Sequence, residues 1–248
     1  MRSRKRQLIM ALSTNSVFHF TKSIDAIKSI LTSEFHIKYC LETVEAKNRT
    51  IEYAVPMASF CDIPLSQVTS HIDKYGGYGL GLLKRWAKRK GLNPVLYLEK
   101  HATILNDVLI REKFENSYNQ VVQEFLRYTK NYEGKLYRDG ELVQKIYRFH
   151  DEREWRYCPS ANQLGDERII IHNTNYYRQN KTQINERLYH LGLNFTLKDI
   201  SYIIVQDEKE ILDIINHLEN QLTREKDKNY IKILTSRIIT SRQIKTDF

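Results

Sequence analysis

Val17-Phe18-His19-Phe20-Thr21-Lys22-Ser23-Ile24-Asp25-Ala26-Ile27-Lys28-Ser29-Ile30-Leu31 changes its hydrophobic period halfway along. The first five residues form a short β-prone run. From Ser23 onward, Ile24, Ile27, Ile30 and Leu31 fall on one helical face, with Ser23 at the N-cap. The chain therefore opens as a strand followed by a helix. The same irregular mixture continues downstream. Residues 35–53 read as a loop with short strands, and 55–62 as a buried strand entering the turn at Pro64. A helix is expected over 65–74, then a glycine-rich extended stretch over 75–82. A short basic helix over 84–90 follows, stopped by Gly91.

Residues 94–98 read as a strand and 101–130 as helix, its apolar face made of Ile104, Val108, Phe114, Val121, Val122, Phe125 and Leu126. A charged hairpin spans 135–145, its tip at Arg138-Asp139-Gly140. Residues 202–205 form a strong strand. An amphipathic helix over 208–222 turns Ile211, Ile214, Ile215 and Leu218 inward. Residues 231–248 read as a strand or an ordered tail. Helices inserted among short strands, without regular βαβ units, favour an α+β fold over a doubly wound sheet. No proline- or glycine-rich linker divides the chain, so residues 1–248 are read as one domain.

Among 248 residues, Lys and Arg number 39 and Asp and Glu 30, a formal charge of +9. That surplus attracts polyanions and points to nucleic acid or another acidic partner. Residues 1–14, opening with Met1-Arg2-Ser3-Arg4-Lys5-Arg6, read as a flexible basic arm. The apolar run 8–12 behind it is too short for a signal peptide. No stretch approaches the roughly 20 apolar residues that a membrane helix needs. Cys40, Cys61 and Cys158 are too few and too scattered for a disulfide framework or zinc site, and fit a reducing cytoplasm. No phosphate loop, dinucleotide Gly-x-Gly-x-x-Gly, His-Glu-x-x-His or Gly-x-Ser-x-Gly occurs, and no metal site is expected.

Three separated segments carry possible chemistry. In the first, His19 lies between Phe18 and Phe20, where a strand histidine either hydrogen-bonds a ligand or sits satisfied and half-buried. The second is Tyr75-Gly76-Gly77-Tyr78-Gly79-Leu80-Gly81. Its glycines let either a flat ligand or a packed neighbour approach the backbone, and its tyrosine rings can stack. The third is Glu152-Arg153-Glu154-Trp155-Arg156. On a strand, Glu152 and Glu154 share one face, and their mutual repulsion is expected to raise at least one pKa. A solvated face with exposed ion pairs is the alternative.

Taken together, a strand histidine, an aromatic-glycine strand and a late strand glutamate resemble the His-Tyr-Glu layout of the ADP-ribosyltransferase superfamily. A closer resemblance is to the AbiGi-type abortive-infection family of phage-defence proteins. It is carried by Phe18-His19-Phe20-Thr21 with the helix after it, and by residues 75–81 with Lys88-x-x-Gly91-Leu92-Asn93-Pro94-Val95-Leu96-Tyr97. Glu152-x-Glu154-Trp155-Arg156-Tyr157 and the ending 235–248 complete it. The resemblance implies an ADP-ribosyltransferase-like split β core with inserted helices.

It further implies NAD as substrate, without a metal. His19 would hold its ribose, Thr21 would belong to the same cofactor-binding set, and Tyr78, with Tyr75 the competitor, would flank nicotinamide. Trp86 would close that pocket. Glu154 would be the catalytic glutamate, stabilising the developing ribose cation as in glycoside chemistry, and Glu152 would orient the acceptor. The acceptor is expected to be a macromolecule, nucleic acid or protein. Lys84, Arg85, Lys88, Arg89 and Lys90 on the basic helix favour nucleic acid, and the same residues fit a solvated helix. AbiGi-type proteins are also described as antitoxins, so the competing expectation is a non-catalytic partner of a cognate toxin.

Overall fold

The computed structural model describes residues 13–114, 120–138, 141–221 and 225–247. The basic arm over 1–12 and the hairpin-tip residues Asp139 and Gly140 lie outside them. Ser13 and Thr14, the end of the expected arm, are tied down: the Ser13 hydroxyl and the Thr14 amide both donate to Asp62.

The architecture is mixed α and β around an eight-stranded sheet. Its spatial order is Ile238–Thr240, Ile200–Val205, Tyr78–Leu83, Ser16–Thr21, Arg49–Cys61, Glu154–Tyr157 and Asn93–Pro94, with Lys38–Ala46 pairing beside Arg49–Cys61. Neighbours are antiparallel except for the last strand, Ile238–Thr240, which runs parallel to Ile200–Val205. The irregular order and antiparallel pairing agree with the reading against a doubly wound sheet.

The opening strand–helix unit forms as its residues dictate. Ser23 caps Ile24–Thr32, its hydroxyl accepting from the Ala26 amide, and Ile27 and Leu31 are buried against the sheet. Lys209–Gln221 buries Ile214 and Leu218 on the same side, as the 3.6-residue period requires. Buried Leu80, Leu82, Trp86, Ile200 and Ile203 complete this main core. Phe18, Cys61, Ile72, Ile204 and Ile244 pack on the other face.

Four regions depart from the sequence reading. Residues 35–53 are not mainly loop. Lys38–Ala46 and Arg49–Cys61 form a long hairpin, in register from Ala46 opposite Arg49 to Lys38 opposite Met57. Most of its charges are exposed or half-buried, Glu42 turning in toward Arg156, while Tyr39, Val44, Ile51, Tyr53 and Val55 are buried, an alternation diluted in sequence by the many Glu and Lys residues. Residues 94–98 do not make one strand: Asn93–Pro94 pairs with Glu154–Tyr157 and Leu96–Leu98 with Thr129–Asn131. The helical stretch 101–130 is two helices, Thr103–Phe114 and Gln120–Arg127, followed by that strand. Ile104 and Val121 face solvent, and Leu105, Val122 and Leu126 are buried instead. The C-terminal stretch is helix Glu225–Thr235, strand Ile238–Thr240 and helix Ser241–Asp247.

The glycine-rich stretch also resolves into distinct parts. Tyr75 ends helix Thr69–Tyr75, and Gly76 turns the chain at φ +117°, its position only 2.1 Å from the Thr21 carbonyl for any added Cβ. Gly79 and Gly81 lie opposite Phe20 and Phe18 across the sheet. A Cβ at Gly81 would meet the Phe18 ring at 2.8 Å. These glycines accommodate aromatic rings from the neighbouring strand rather than a flat ligand.

Candidate functional site

The sheet splits at one place. Ser16–Thr21 pairs with Arg49–Cys61 only at Phe18 opposite Cys61. Beyond that pair the strands part, and the Ser59 carbonyl accepts a hydrogen bond from His19 Nδ1 at 2.9 Å. A cavity of about 250 Å³ opens there. His19, Glu42, Ser59, Tyr75, Glu152 and Glu154 line it, together with Lys130 and the rings of Phe18, Phe20 and Phe60. Three of the sequence segments therefore meet: the first-strand histidine, the tyrosine at the edge of the glycine stretch, and both glutamates.

Glu152 does not lie on a strand. It ends the short helical turn Phe149–Glu152, and Arg153 then adopts a left-handed conformation (φ 45°, ψ 49°) before strand Glu154–Tyr157 begins. A non-glycine residue held there stores roughly 1–3 kcal/mol, offset by the bonds that both glutamates make. Glu152 Oε1 accepts from the hydroxyls of Tyr75 (2.6 Å) and Tyr147 (2.9 Å). Its Oε2 accepts from Lys130 at 3.0 Å.

Glu154 is more tightly held. Oε1 accepts from the Ser59 hydroxyl at 2.7 Å and from Arg156 Nε at 2.7 Å. Oε2 accepts from Arg156 Nη2 and Lys130 Nζ, both at 3.1 Å. Its backbone amide donates to the Tyr97 hydroxyl. Arg156, fully buried, also pairs with Glu42 and donates to the Arg127 carbonyl.

Electrostatics follows this geometry. Burial by itself would raise both carboxyls. The charges of Arg156 and Lys130 and the hydrogen bonds around Glu154 outweigh it, holding that carboxyl well below the ordinary carboxylate range. Glu152 is lowered as well, chiefly by Lys130 against the cost of burial. The sequence expectation of a raised glutamate pKa is thus overturned: two cations stand between carboxylates that would otherwise repel. The Lys130 ammonium is raised well above its usual value by the same glutamates, against its burial. Desolvation lowers His19, which stays neutral under the rings of Phe35 and Phe60.

The remaining expected site residues lie elsewhere. Tyr78 is buried, its hydroxyl donating to Glu210 (2.6 Å) and contacting Gln206 (3.2 Å). Burial and the Glu210 bond push its pKa up to about 12. Thr21 donates to the Ser23 carbonyl beside the helix cap. Trp86 is completely buried against Phe35 and Phe60, its indole N–H donating to the Asn194 carbonyl, and does not line the cavity. On the basic helix Lys84–Arg89, Lys84 pairs with Asp62 and Arg89 with Asp199, and Lys90 just beyond it reaches Asn194. Arg85 and Lys88 are exposed.

Lys130, Arg156, Ser59, Glu42 and Tyr97 were not singled out in sequence. For Arg156 a signal existed, because strand parity puts it on the face of Glu154. Lys130 carried none: it sits on a three-residue strand, Thr129–Asn131, at the end of a run with helical period. Among the described residues no three His, Cys, Asp or Glu side chains are grouped to hold a metal ion, and no helix is long and apolar enough to cross a membrane.

The structural class is a mixed α and β fold around one eight-stranded sheet, with a buried carboxylate–cation cluster lining a cavity where two strands part. The chain belongs to the AbiGi family, whose profile, described as "Putative abortive phage resistance protein AbiGi, antitoxin", matches residues 33–206. It is 27% identical over 228 residues to a protein of Lactococcus lactis subsp. cremoris named "Abortive phage resistance protein AbiGi", covering 79% of this chain and 90% of that one. No solved structure matches.

Proposed function

We propose that this chain serves abortive phage resistance as an antitoxin, binding a cognate protein toxin rather than turning over a substrate. One observation carries the reading. Glu154, the residue a transferase would need for its substrate, has both oxygens taken by Arg156, Lys130 and Ser59. A ribose hydroxyl would have to displace one of these bonds. The cavity, about 250 Å³, is small beside the roughly 300–1,000 Å³ of ordinary ligand pockets, which supports the reading without a bound dinucleotide. The family description, with its word antitoxin, supports the same reading.

Exposed apolar side chains support a protein partner. The ribbon Gly134–Arg138 with Glu141–Tyr147 exposes Tyr137, Leu142, Val143 and Ile146, the last 72% accessible. Large apolar side chains exposed on a two-stranded ribbon favour burial against another protein.

The test is growth. Expressed alone, the gene leaves growth unchanged, and expressed with the gene of its cognate toxin it restores growth. Leu142→Asp with Ile146→Asp weakens that rescue without lowering the melting temperature. Toxicity of the gene by itself, relieved by Glu154→Gln, would overturn the reading. It would favour instead an NAD-consuming transferase, for which the convergence of His19, Tyr75, Glu152 and Glu154 on one cavity speaks. Incubation with labelled NAD and separate RNA, DNA and protein pools distinguishes that outcome.

A further inference from the structure

The cavity at the split is short of hydrogen-bond donors. Glu42 meets Arg156 through Oε1 at 2.9 Å, and among the described residues no hydrogen bond reaches its Oε2. The Ser59 carbonyl can only accept, so His19 Nδ1 carries the proton in that contact and Nε2 is a bare acceptor. Glu152 Oε2 takes one bond, from Lys130. Against these acceptors, Lys130 gives two N–H groups to Glu152 and Glu154, and its ammonium also lies over the Phe149 ring.

The charges run the same way. Carboxylates Glu42, Glu152 and Glu154 face Lys130, with Arg156 buried beneath. Lys74 stands one tyrosine further out, bonded to the Tyr147 hydroxyl and partly exposed. The aromatic side chains of Phe18, Phe20, Phe60, His71 and Tyr75 also line it.

We propose that this cavity binds a guanidinium-class cation, held by Glu42 and His19 and flanked by the aromatic rings. Guanidinium is planar, offers five donors and is more weakly hydrated than an ammonium, so it gives up less on entering an apolar wall. It also gains from ring faces. An anion would meet three carboxylates. The inference concerns the same cavity but does not rest on the antitoxin reading, since growth rescue and ligand binding are scored separately. A guanidinium reaches such a site either as a free small molecule or as an arginine side chain of another protein.

Calorimetry and thermal melting of the full chain test it, with agmatine as probe for the first source and N-acetyl-arginine methylamide for the second. Putrescine and N-butylacetamide are the ammonium and neutral controls. At about 100-fold above Kd, a bound probe raises the melting temperature by about 5–10 °C. Glu42→Gln weakens binding about 10-fold or more, the scale of one charged hydrogen bond. His19→Phe, which keeps an aromatic ring between Phe35 and Phe60, also weakens it and carries the test if Glu42→Gln does not fold. Binding by agmatine alone assigns a free molecule, and binding by the arginine derivative alone assigns a side chain. Absence of binding by both probes, equal binding of putrescine or the amide, or undiminished affinity in both folded variants overturns the proposal.

Discussion

Arg156 grips Glu154 from two residues further along the same strand, Nε to Oε1 at 2.7 Å and Nη2 to Oε2 at 3.1 Å. Side chains at i and i+2 of a strand share a face, so the pair forms without any help from chain reversal. Closing the fork over a buried carboxylate makes it a structural element. Removing one partner strands the other in a dry environment. Arg156→Met is expected to cost about 3–5 kcal/mol in urea unfolding. The double variant Glu154→Gln with Arg156→Met costs less than the two single losses combined, because no bare charge remains at that pair. Additive losses would show that the fork is not one unit.

Acid dependence follows from the direction of the carboxyl shifts. Glu154 and Glu152 titrate lower in the fold than their ordinary value of 4.5. Their contribution is present above pH 4.5 and lost as pH falls through the folded values. Lys130→Met removes the cation that both share, so acid unfolding begins at a higher pH than in the parent. A midpoint unchanged from the parent would count against Lys130 as the bridge.

His71 adds a second window. Desolvation beside Phe20 and Tyr75 lowers its pKa from 6.5 to about 4, with Glu152 opposing and Lys74 and Lys130 assisting. The fold prefers the neutral ring, so its contribution is complete above pH 6.5 and declines as pH drops toward 4. The full change is about 3 kcal/mol. His71→Phe flattens stability against pH between those limits, and a profile of unchanged slope would refute this account.

Trp86 separates a packing role from a pocket role. It has no accessible surface and contacts Phe35 and Phe60. Trp86→Ala is expected to cost about 3–5 kcal/mol, measured by chemical denaturation. A loss well under 1 kcal/mol would mean the indole is not core.

Gly81→Ala tests the cross-strand fit. The new methyl would stand 2.8 Å from the Phe18 ring and 3.0 Å from the Ser201 hydroxyl. Overpacking of this kind costs about 1–3 kcal/mol. Gly91→Ala is the contrast: nothing lies within 4 Å, and its φ of +78° alone disfavours a side chain. Adding Phe18→Leu to Gly81→Ala should restore part of the loss.

Much of this was legible in local pattern. The strand–helix opening at Ser16–Thr21 and Ile24–Thr32, and the inward face of Lys209–Gln221, are matters of period and capping, which neighbouring residues decide. The grouping of His19 with Glu152 and Glu154 came not from local pattern but from the resemblance of their three segments to the His-Tyr-Glu layout. The long hairpin over 38–61 was not legible, because its exposed face is so charged that the buried alternation is masked.

By itself, then, the amino-acid order determined the strand–helix opening, the inward face of Lys209–Gln221 and which polar residues are candidates for one site. Only the tertiary structure decided what those residues do there. Lys130 comes from a strand 24 positions before Glu154, Ser59 from the register that sets it opposite Arg156, and His19 from the point where two strands part. Periodicity is a short-range property of the chain. The state of a buried carboxylate depends on which charges and hydrogen-bond donors the fold brings within a few ångströms of it, and in this fold they hold Glu154 fast.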